Sequence, residues 1–207
     1  NEDYYRFNNP STLMCVLDSL KNTYICSSDN YFKENVFEKY VFNSYYAAIY
    51  AEGKTEEYCL KTEKNGRIKG VRIGGRDAWY MCGHVYWNRE FSDTFKRILV
   101  ESYSEMDTKI QLWENLYMKH LKELDLYIRK YPEEAIKEFD SLEELRVFDK
   151  DYLRNGDSKI LENISKILNC KDANIIGIVP IKSGLTNVSF KFEVDGKSYV
   201  YRHPGQG

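Results

Sequence analysis

The spacing of hydrophobic and polar positions predicts a chain that mixes helices and strands. Residues 11–25 have helical spacing, start with Ser11 as a possible N-cap, and lead into a strand at Tyr24. A short helix is predicted over 34–42. The stretch SYYAAIYA at 44–51 alternates aromatic and small residues, which is typical of a strand.

The middle of the chain predicts a group of antiparallel strands. Residues 56–87 are interpreted as a meander of short strands joined by tight turns. Asn65-Gly66 is the strongest hairpin signal in the chain, and Gly74-Gly75 predicts a second turn.

Two helices are predicted after the meander. The first covers about 107–130, where apolar residues recur near the helical period: Ile110, Trp113, Tyr117, Leu121 and Leu124. The second lies near 141–149 and begins with a capping box, because Ser141 is followed three residues later by Glu144.

The last quarter of the chain predicts a separate domain. RNGDS at 154–158 is polar and rich in helix breakers, so we predict a first domain at 1–153, a linker at 154–158 and a second domain at 159–207. The second domain starts with an amphipathic helix, SKILENISKILNC, and has a hairpin turn at Asp195-Gly196. Few strands and no later covering element predict a truncated domain.

Composition narrows the classes of function. The chain is 43% hydrophobic, and 30 Lys and Arg stand against 32 Asp and Glu for a net charge of −2, so it lacks the basic footprint of a nucleic-acid binder. No apolar run approaches the ~18 residues that membrane insertion needs. The five cysteines are scattered without a CxxC pair, which predicts free thiols and a cytoplasmic location.

A single acid follows the predicted strand TYIC. Asp29, in SSDN, is either a turn residue after a strand or an acid held at the carboxyl end of a buried strand, where α/β sheets bind ligands. The local sequence leaves both interpretations open.

Three motifs together resemble the bacterial choline-phosphate cytidylyltransferases of the sugar-nucleotidyltransferase superfamily. They are FNNPSTL, YICSSDNYF and WENLYMKHLKELDLYI, the last followed by FDSLEELRVFD. The resemblance covers most of residues 1–150 and implies a partial Rossmann-like nucleotidyltransferase sheet with flanking helices. The Gly-rich nucleotide-binding loop that opens this family is absent from the chain, so the resemblance implies that the chain alone is inactive.

The resemblance implies a reaction and its site residues. CTP and choline phosphate would react by in-line attack on the α-phosphorus, with Mg²⁺ held by Asp29 and Glu114. The family usually has Asp where this chain has Glu114. Tyr58 falls where the family typically has a Trp facing the choline head group, and Asn9 and Trp79 are further substrate-binding candidates.

The tail resembles the start of a choline kinase of the aminoglycoside-phosphotransferase type. The stretch SGLTNVSFKFEVDGKSYVYRHPG implies the first strands of a kinase-like N-lobe, with ATP and choline as its substrates. Gly184, Thr186 and Asn187 of the GLTN turn would lie over the ATP phosphates, and Arg202 would reach them. A plain hairpin turn is the alternative interpretation of GLTN.

The resulting hypothesis is a fragment of a bifunctional enzyme that makes CDP-choline. Two alternatives remain open. One is a sugar-1-phosphate nucleotidyltransferase, and the other is a degenerate nucleotidyltransferase-like binding module, for which the uncharged Ser27 and the longer Glu114 leave room.

Overall fold

The chain folds into two compact units. The computed structural model describes residues 1–3, 5–149, 159–171, 174–181 and 187–204. Contacts divide the chain into residues 1–138 and 139–207. The predicted linker 154–158 lies outside the described residues, so the boundary placed there stays a prediction.

The first unit contains six strands and four α-helices within its described residues. The strands are β1 (Thr23–Cys26), β2 (Asn30–Phe32), β3 (Tyr45–Thr62), β4 (Ile68–Trp87), β5 (Tyr127–Lys130) and β6 (Ile136–Glu138). The helices are α1 (Asn9–Cys15), α2 (Arg89–Ser102), α3 (Met106–Ile110) and α4 (Trp113–Lys119), and a 3-10 helix covers Leu17–Ser19.

The main sheet is mixed, with strand order β1-β4-β3-β5. β4 is antiparallel to both β1 and β3, and β3 is parallel to β5. β2 and β6 form a separate two-stranded antiparallel ladder. The α/β class predicted from the sequence is therefore confirmed in a mixed form.

β3 and β4 form one long hairpin of 18 and 20 residues instead of the predicted meander. The turn at Asn65-Gly66 is confirmed, but Gly74-Gly75 lies inside β4. The hairpin curls back on itself, because Cys59 pairs with both Arg72 and Tyr80. A Cβ added to Gly75 would come within 2.8 Å of the Cys59 sulfur, so this close approach requires glycine.

The main core packs α1, α2 and α4 against one face of the sheet. Trp87 of β4 is fully buried, and its ring centroid lies 4.6 Å from that of Phe95 and 5.0 Å from that of Trp113. On the same sheet, His84 is also fully buried, and its Nε2 lies 2.9 Å from the Tyr45 hydroxyl.

The predicted helix at 107–130 is wrong as a single element. The backbone is extended at Gln111 and Leu112, which separates α3 from α4. Its last part forms β5, because pairing with β3 at Tyr45–Ala48 replaces local helical bonds.

Two other predicted helices also differ. The helix at 11–25 is shortened to α1 and the 3-10 turn, and its N-cap is Asn8 instead of Ser11. The helix at 34–42 does not form, because the N–H and C=O of Glu38 both bond to the Tyr24 hydroxyl instead of to helical neighbours.

The second unit has helices α5 (Leu142–Phe148) and α6 (Lys159–Leu168) and strands β7 (Ile176–Pro180), β8 (Asn187–Val194) and β9 (Lys197–Pro204). The Ser141 capping box is confirmed, since its hydroxyl accepts the Glu144 N–H at 3.2 Å. The Asp195-Gly196 hairpin is confirmed as well, with φ of 51° and 74°. α6 packs its apolar face against β8, but this arrangement alone does not establish a kinase-like lobe.

Among the described residues, no helix has the length and hydrophobicity needed to cross a membrane.

Candidate functional site

Glu114 is the central residue of the candidate site. It lies in the first turn of α4 and is only 8% exposed. Its Oε1 accepts a hydrogen bond of 2.9 Å from the Tyr46 hydroxyl on β3. Its Oε2 is buried and has no hydrogen-bond partner in the described part of the chain. An oxygen left in this state costs stability, which is typical of an atom kept for a ligand.

Burial makes Glu114 an unusually weak acid. Desolvation raises its pKa to about 7, although hydrogen bonds from its own backbone N–H, Tyr46 and Asn9 oppose the increase. The pKa of Tyr46 is also well above its ordinary value, mainly because the ring is buried and then because of the charge of Glu114. The Tyr46 ring stacks on Trp113, with centroids 5.9 Å apart.

Asn9 contacts this cluster and not open solvent. Its Oδ1 accepts the backbone N–H of Trp113 at 2.7 Å, and its side chain also hydrogen bonds to Glu114. The side chain predicted to bind substrate is therefore bonded to the protein itself.

Tyr58 is brought to the same cluster by the curled hairpin. Its half-buried ring packs against the main core, and Asn115 hydrogen bonds to its hydroxyl oxygen. Burial raises the pKa of Tyr58, and the charge of nearby Glu114 raises it further. The sequence therefore identified two residues, Tyr58 and Glu114, that the structure brings close together.

Trp79 already has a cation over its ring. The ammonium of Lys130 lies 4.7 Å from the ring centroid, and Tyr50 packs edge-on at 5.3 Å. The next residue, Tyr80, has acidic surroundings. Burial is the largest cause of its raised pKa, and the further contributions come from Cys82, Glu57, Glu138 and Glu133.

Asp29 lies in the turn between β1 and β2. It is exposed and forms no hydrogen bond or ion pair with the described residues. This position agrees with both interpretations of SSDN, because the acid stands in a turn and also follows the carboxyl end of a sheet strand.

Asn30 is a residue that sequence reasoning missed. Both polar atoms of its side chain, Nδ2 and Oδ1, are buried without a partner in the described structure. Asn30 is directly opposite Glu138 in the β2–β6 ladder, so the two side chains lie on the same face. The only sequence signal is its place beside Asp29, and whether an amide is paired depends on the fold.

A metal would have to share its coordination with a ligand. No group of three His, Cys, Asp or Glu side chains suited to a metal occurs among the described residues. Mg²⁺ often takes only one or two carboxylates and completes its shell with phosphate oxygens and water. The free Oε2 of Glu114 and the unpaired Asp29 carboxylate fit that mode.

The residues of the predicted ATP site can be followed only in part. Gly184 and Thr186 lie outside the described residues. Asn187 begins β8, and its side chain is also outside the description. Arg202 is exposed on β9, opposite Ser189 of β8.

The first unit has the α/β fold of a cytidylyltransferase. The solved structure of CTP:phosphocholine cytidylyltransferase from Streptococcus pneumoniae matches with a TM-score of 0.68 and 24% identity, over 73% of this chain and 66% of that chain. No protein-family model matches the sequence.

Two curated proteins are similar in sequence. The choline-phosphate cytidylyltransferase of Streptococcus pneumoniae is 25% identical over 146 residues, which is 70% of this chain and 64% of that protein. The 2-aminoethylphosphonate cytidylyltransferase of Lancefieldella rimae is 28% identical over 156 residues, or 74% of this chain and 63% of that protein. The chain thus spans less than two thirds of the length of each relative.

Proposed function

We propose that the first unit carries the acceptor side of a cytidylyltransferase, acting on a small phosphate or phosphonate that bears an ammonium group. The observation that carries this proposal is the buried Glu114, with its unpaired Oε2, close to Tyr58. An oxygen of the acceptor would attack the α-phosphorus of CTP, forming one P–O bond while the bond to pyrophosphate breaks. Asp29 and Glu114 would hold Mg²⁺, which neutralises the phosphate charge.

The surroundings of Tyr80 support an ammonium-bearing acceptor. Aromatic faces and nearby carboxylates attract cations, and a cation–π contact contributes about 0.5–2 kcal/mol. Glu57, Glu133 and Glu138 supply negative charge around Tyr80, and Tyr58 supplies a second ring in the first unit. Choline phosphate is the acceptor that the sequence motifs favour, and the two relatives differ in this acceptor alone by name.

The test is pyrophosphate release by the full-length protein. CTP should be offered with choline phosphate, 2-aminoethylphosphonate and a sugar 1-phosphate in parallel. Release with an ammonium-bearing acceptor supports the proposal. Release with the sugar phosphate only favours the sugar-nucleotide alternative, and binding of CTP without any release favours the degenerate module.

A matched pair of variants tests the predicted metal ligand. Asp29→Asn should lower kcat at least a hundredfold, because about 3 kcal/mol or more of transition-state stabilisation is lost with a metal ligand. Asp18→Asn changes an equally exposed acid outside the site and should not change the rate. Normal turnover of Asp29→Asn at saturating Mg²⁺ would remove Asp29 from the site.

We further propose that the second unit begins a kinase-like lobe that takes ATP and choline. Its support is the resemblance of the GLTN stretch together with the three-stranded antiparallel sheet β7-β8-β9. Arg202→Ala should weaken ATP binding to the full-length protein, measured by titration calorimetry, whereas Lys191→Ala on β8 should not. Equal affinity for the two variants would refute this assignment.

A cytoplasmic location is also proposed. It rests on the five free cysteines, two of which, Cys59 and Cys82, are buried as thiols. Buried thiols without disulfides are typical of proteins in a reducing compartment.

A further inference from the structure

The start of α4 is held by a residue from the far end of the first unit. Leu112 occupies the N-cap position of α4 and provides no side-chain hydrogen bond. The amide oxygen of Asn9, 104 residues earlier, accepts the Trp113 N–H at 2.7 Å instead. Asn9 therefore supplies the cap that Leu112 lacks.

The same side chain also holds the carboxylate of Glu114. Asn9 hydrogen bonds to Glu114 while its Oδ1 is bonded to Trp113. An Asn amide has one acceptor and two donors, so it can satisfy the helix N–H and the acid together. Asn9 thus fixes both the backbone of the first helical turn and the side chain that this turn carries.

Tyr46 holds the acid from another direction. Its hydroxyl donates to Oε1 from β3, while α1 provides Asn9. Two tethers on different elements restrict the rotation of the Glu114 side chain. They leave Oε2 as the buried oxygen without a partner among the described residues.

We propose that Asn9 is a positioning residue for the reaction, holding Glu114 so that Oε2 stays free for a ligand, and that it is not a substrate ligand as the sequence predicted. This inference rests on the proposed function, because Glu114 is taken as part of the site. The preorganisation of such an acid is worth protecting, since a small displacement of a charged group lowers turnover strongly.

The neighbouring Asn8 provides a matched control. Asn8 is exposed, and its Oδ1 accepts the Asn9 N–H at 2.7 Å as the cap of α1. Its own backbone N–H donates to the Lys109 carbonyl at 2.8 Å. The two adjacent asparagines therefore cap different helices, and only Asn9 reaches the acid.

The decisive variant is Asn9→Asp in the full-length protein. A carboxylate can still accept the Trp113 N–H, and its charge suits a helix N-terminus, so the melting temperature should stay near that of the wild type. It cannot donate to Glu114 when ionised. We expect kcat to fall about tenfold or more with little change in KM for either substrate. Asn8→Asp should keep the wild-type kcat, and Asn9→Ala should lose both stability and kcat.

A double-mutant cycle separates a positioning role from a capping role. With Glu114→Gln as the background, adding Asn9→Asp should cause little further loss of kcat, because the acid that Asn9 holds is already gone. Fully additive losses would overturn the proposal. A wild-type kcat in Asn9→Asp would also overturn it, and a raised KM with unchanged kcat would identify Asn9 as a substrate ligand.

A readout without turnover keeps this test separate from the proposed function. If the wild-type protein releases no pyrophosphate, the proposed function fails, but the contact can still be measured by NMR. The Asn9 side-chain amide resonances should shift on Glu114→Gln, while those of Asn8 should not. Unchanged Asn9 resonances would overturn the positioning role whatever the enzymatic result.

Discussion

Two buried groups of opposite kind should give the first unit a concealed pH dependence. Glu114 has its pKa raised from 4.5 to about 7 by burial. His84 has its pKa lowered from 6.5 to about 4, first by burial and then by the charge of Arg129. Both groups therefore favour their neutral forms in the folded state, and each contributes a term to the free energy of unfolding that changes with pH.

The signs of the two terms are opposite. Between pH 4.5 and 7 the folded state keeps a proton on Glu114 that the unfolded state has lost, so this term falls as the pH rises. Between pH 4 and 6.5 the unfolded state binds a proton on His84 that the folded state excludes, so this term rises with pH. Each difference of about 2.5 in pKa, at about 1.4 kcal/mol per pH unit, amounts to ~3 kcal/mol. The two terms offset each other over the shared range.

Replacing either group should therefore expose the other. Glu114→Gln should gain about 3 kcal/mol in stability relative to the wild type as the pH rises from 4.5 to 7. His84→Gln should lose a similar amount relative to the wild type as the pH rises from 4 to 6.5. Only the change of each difference with pH matters, because a lost contact adds a constant offset.

Urea unfolding followed by tryptophan fluorescence measures these differences directly. All three tryptophans, Trp79, Trp87 and Trp113, lie in the first unit, so the signal reports that unit and not the second. Chelator should be present, since a cation bound to Glu114 would change its protonation. A stability difference that does not change with pH would refute the reasoning for that residue.

Three further predictions concern the site and the hairpin. Tyr58→Ala in the full-length protein should weaken choline phosphate roughly three- to thirtyfold with less effect on CTP, and Tyr58→Phe should not; steady-state KM values check this. Asn30→Ala should weaken binding of the acceptor or its metal while leaving stability nearly unchanged or raised, since an unpaired buried amide is removed; thermal melting with and without ligands separates the two effects. Gly75→Ala should destabilise the first unit by about 1–3 kcal/mol, because its Cβ would meet the Cys59 sulfur at 2.8 Å. Gly70→Ala, whose nearest contact is 3.8 Å away, should cost less in the same urea titration.

Local signals in the sequence predicted the tight turns well. Asn65-Gly66 and Asp195-Gly196 both form hairpin turns, because the left-handed conformations that such turns need are determined by two adjacent residues. The Ser141 cap formed for the same reason, since its partner lies three residues away.

Features that depend on distant residues were not predictable in this way. The curl of the β3–β4 hairpin depends on Cys59 meeting Gly75 across the sheet, so the glycine pair looked like a turn. The helical spacing at 107–130 was real for α4, but pairing of Tyr127–Lys130 with β3 gave those residues a better set of backbone partners.

The candidate site shows the same division between local and distant information. Motif order identified Glu114 and Tyr58, and the structure brings them together through elements more than 50 residues apart in sequence. It could not identify Tyr46, because the tyrosine that bonds to the acid is chosen among 18 by the register of β3. It also assigned Asn9 to the substrate, because a sequence does not reveal that the amide is already bonded to a helix N–H.

The unpaired atoms give the strongest physical reason to treat this region as a site. A folded protein normally pairs its buried polar groups, and leaving one unpaired costs about 1–3 kcal/mol. Oε2 of Glu114 and both amide atoms of Asn30 are unpaired among the described residues, and Asn30 adjoins the equally unpaired Asp29. Packing alone gives no advantage to this arrangement. A ligand that offers donors, acceptors and a cation would satisfy all of these groups at once, so the stability that the free protein gives up would return as binding affinity.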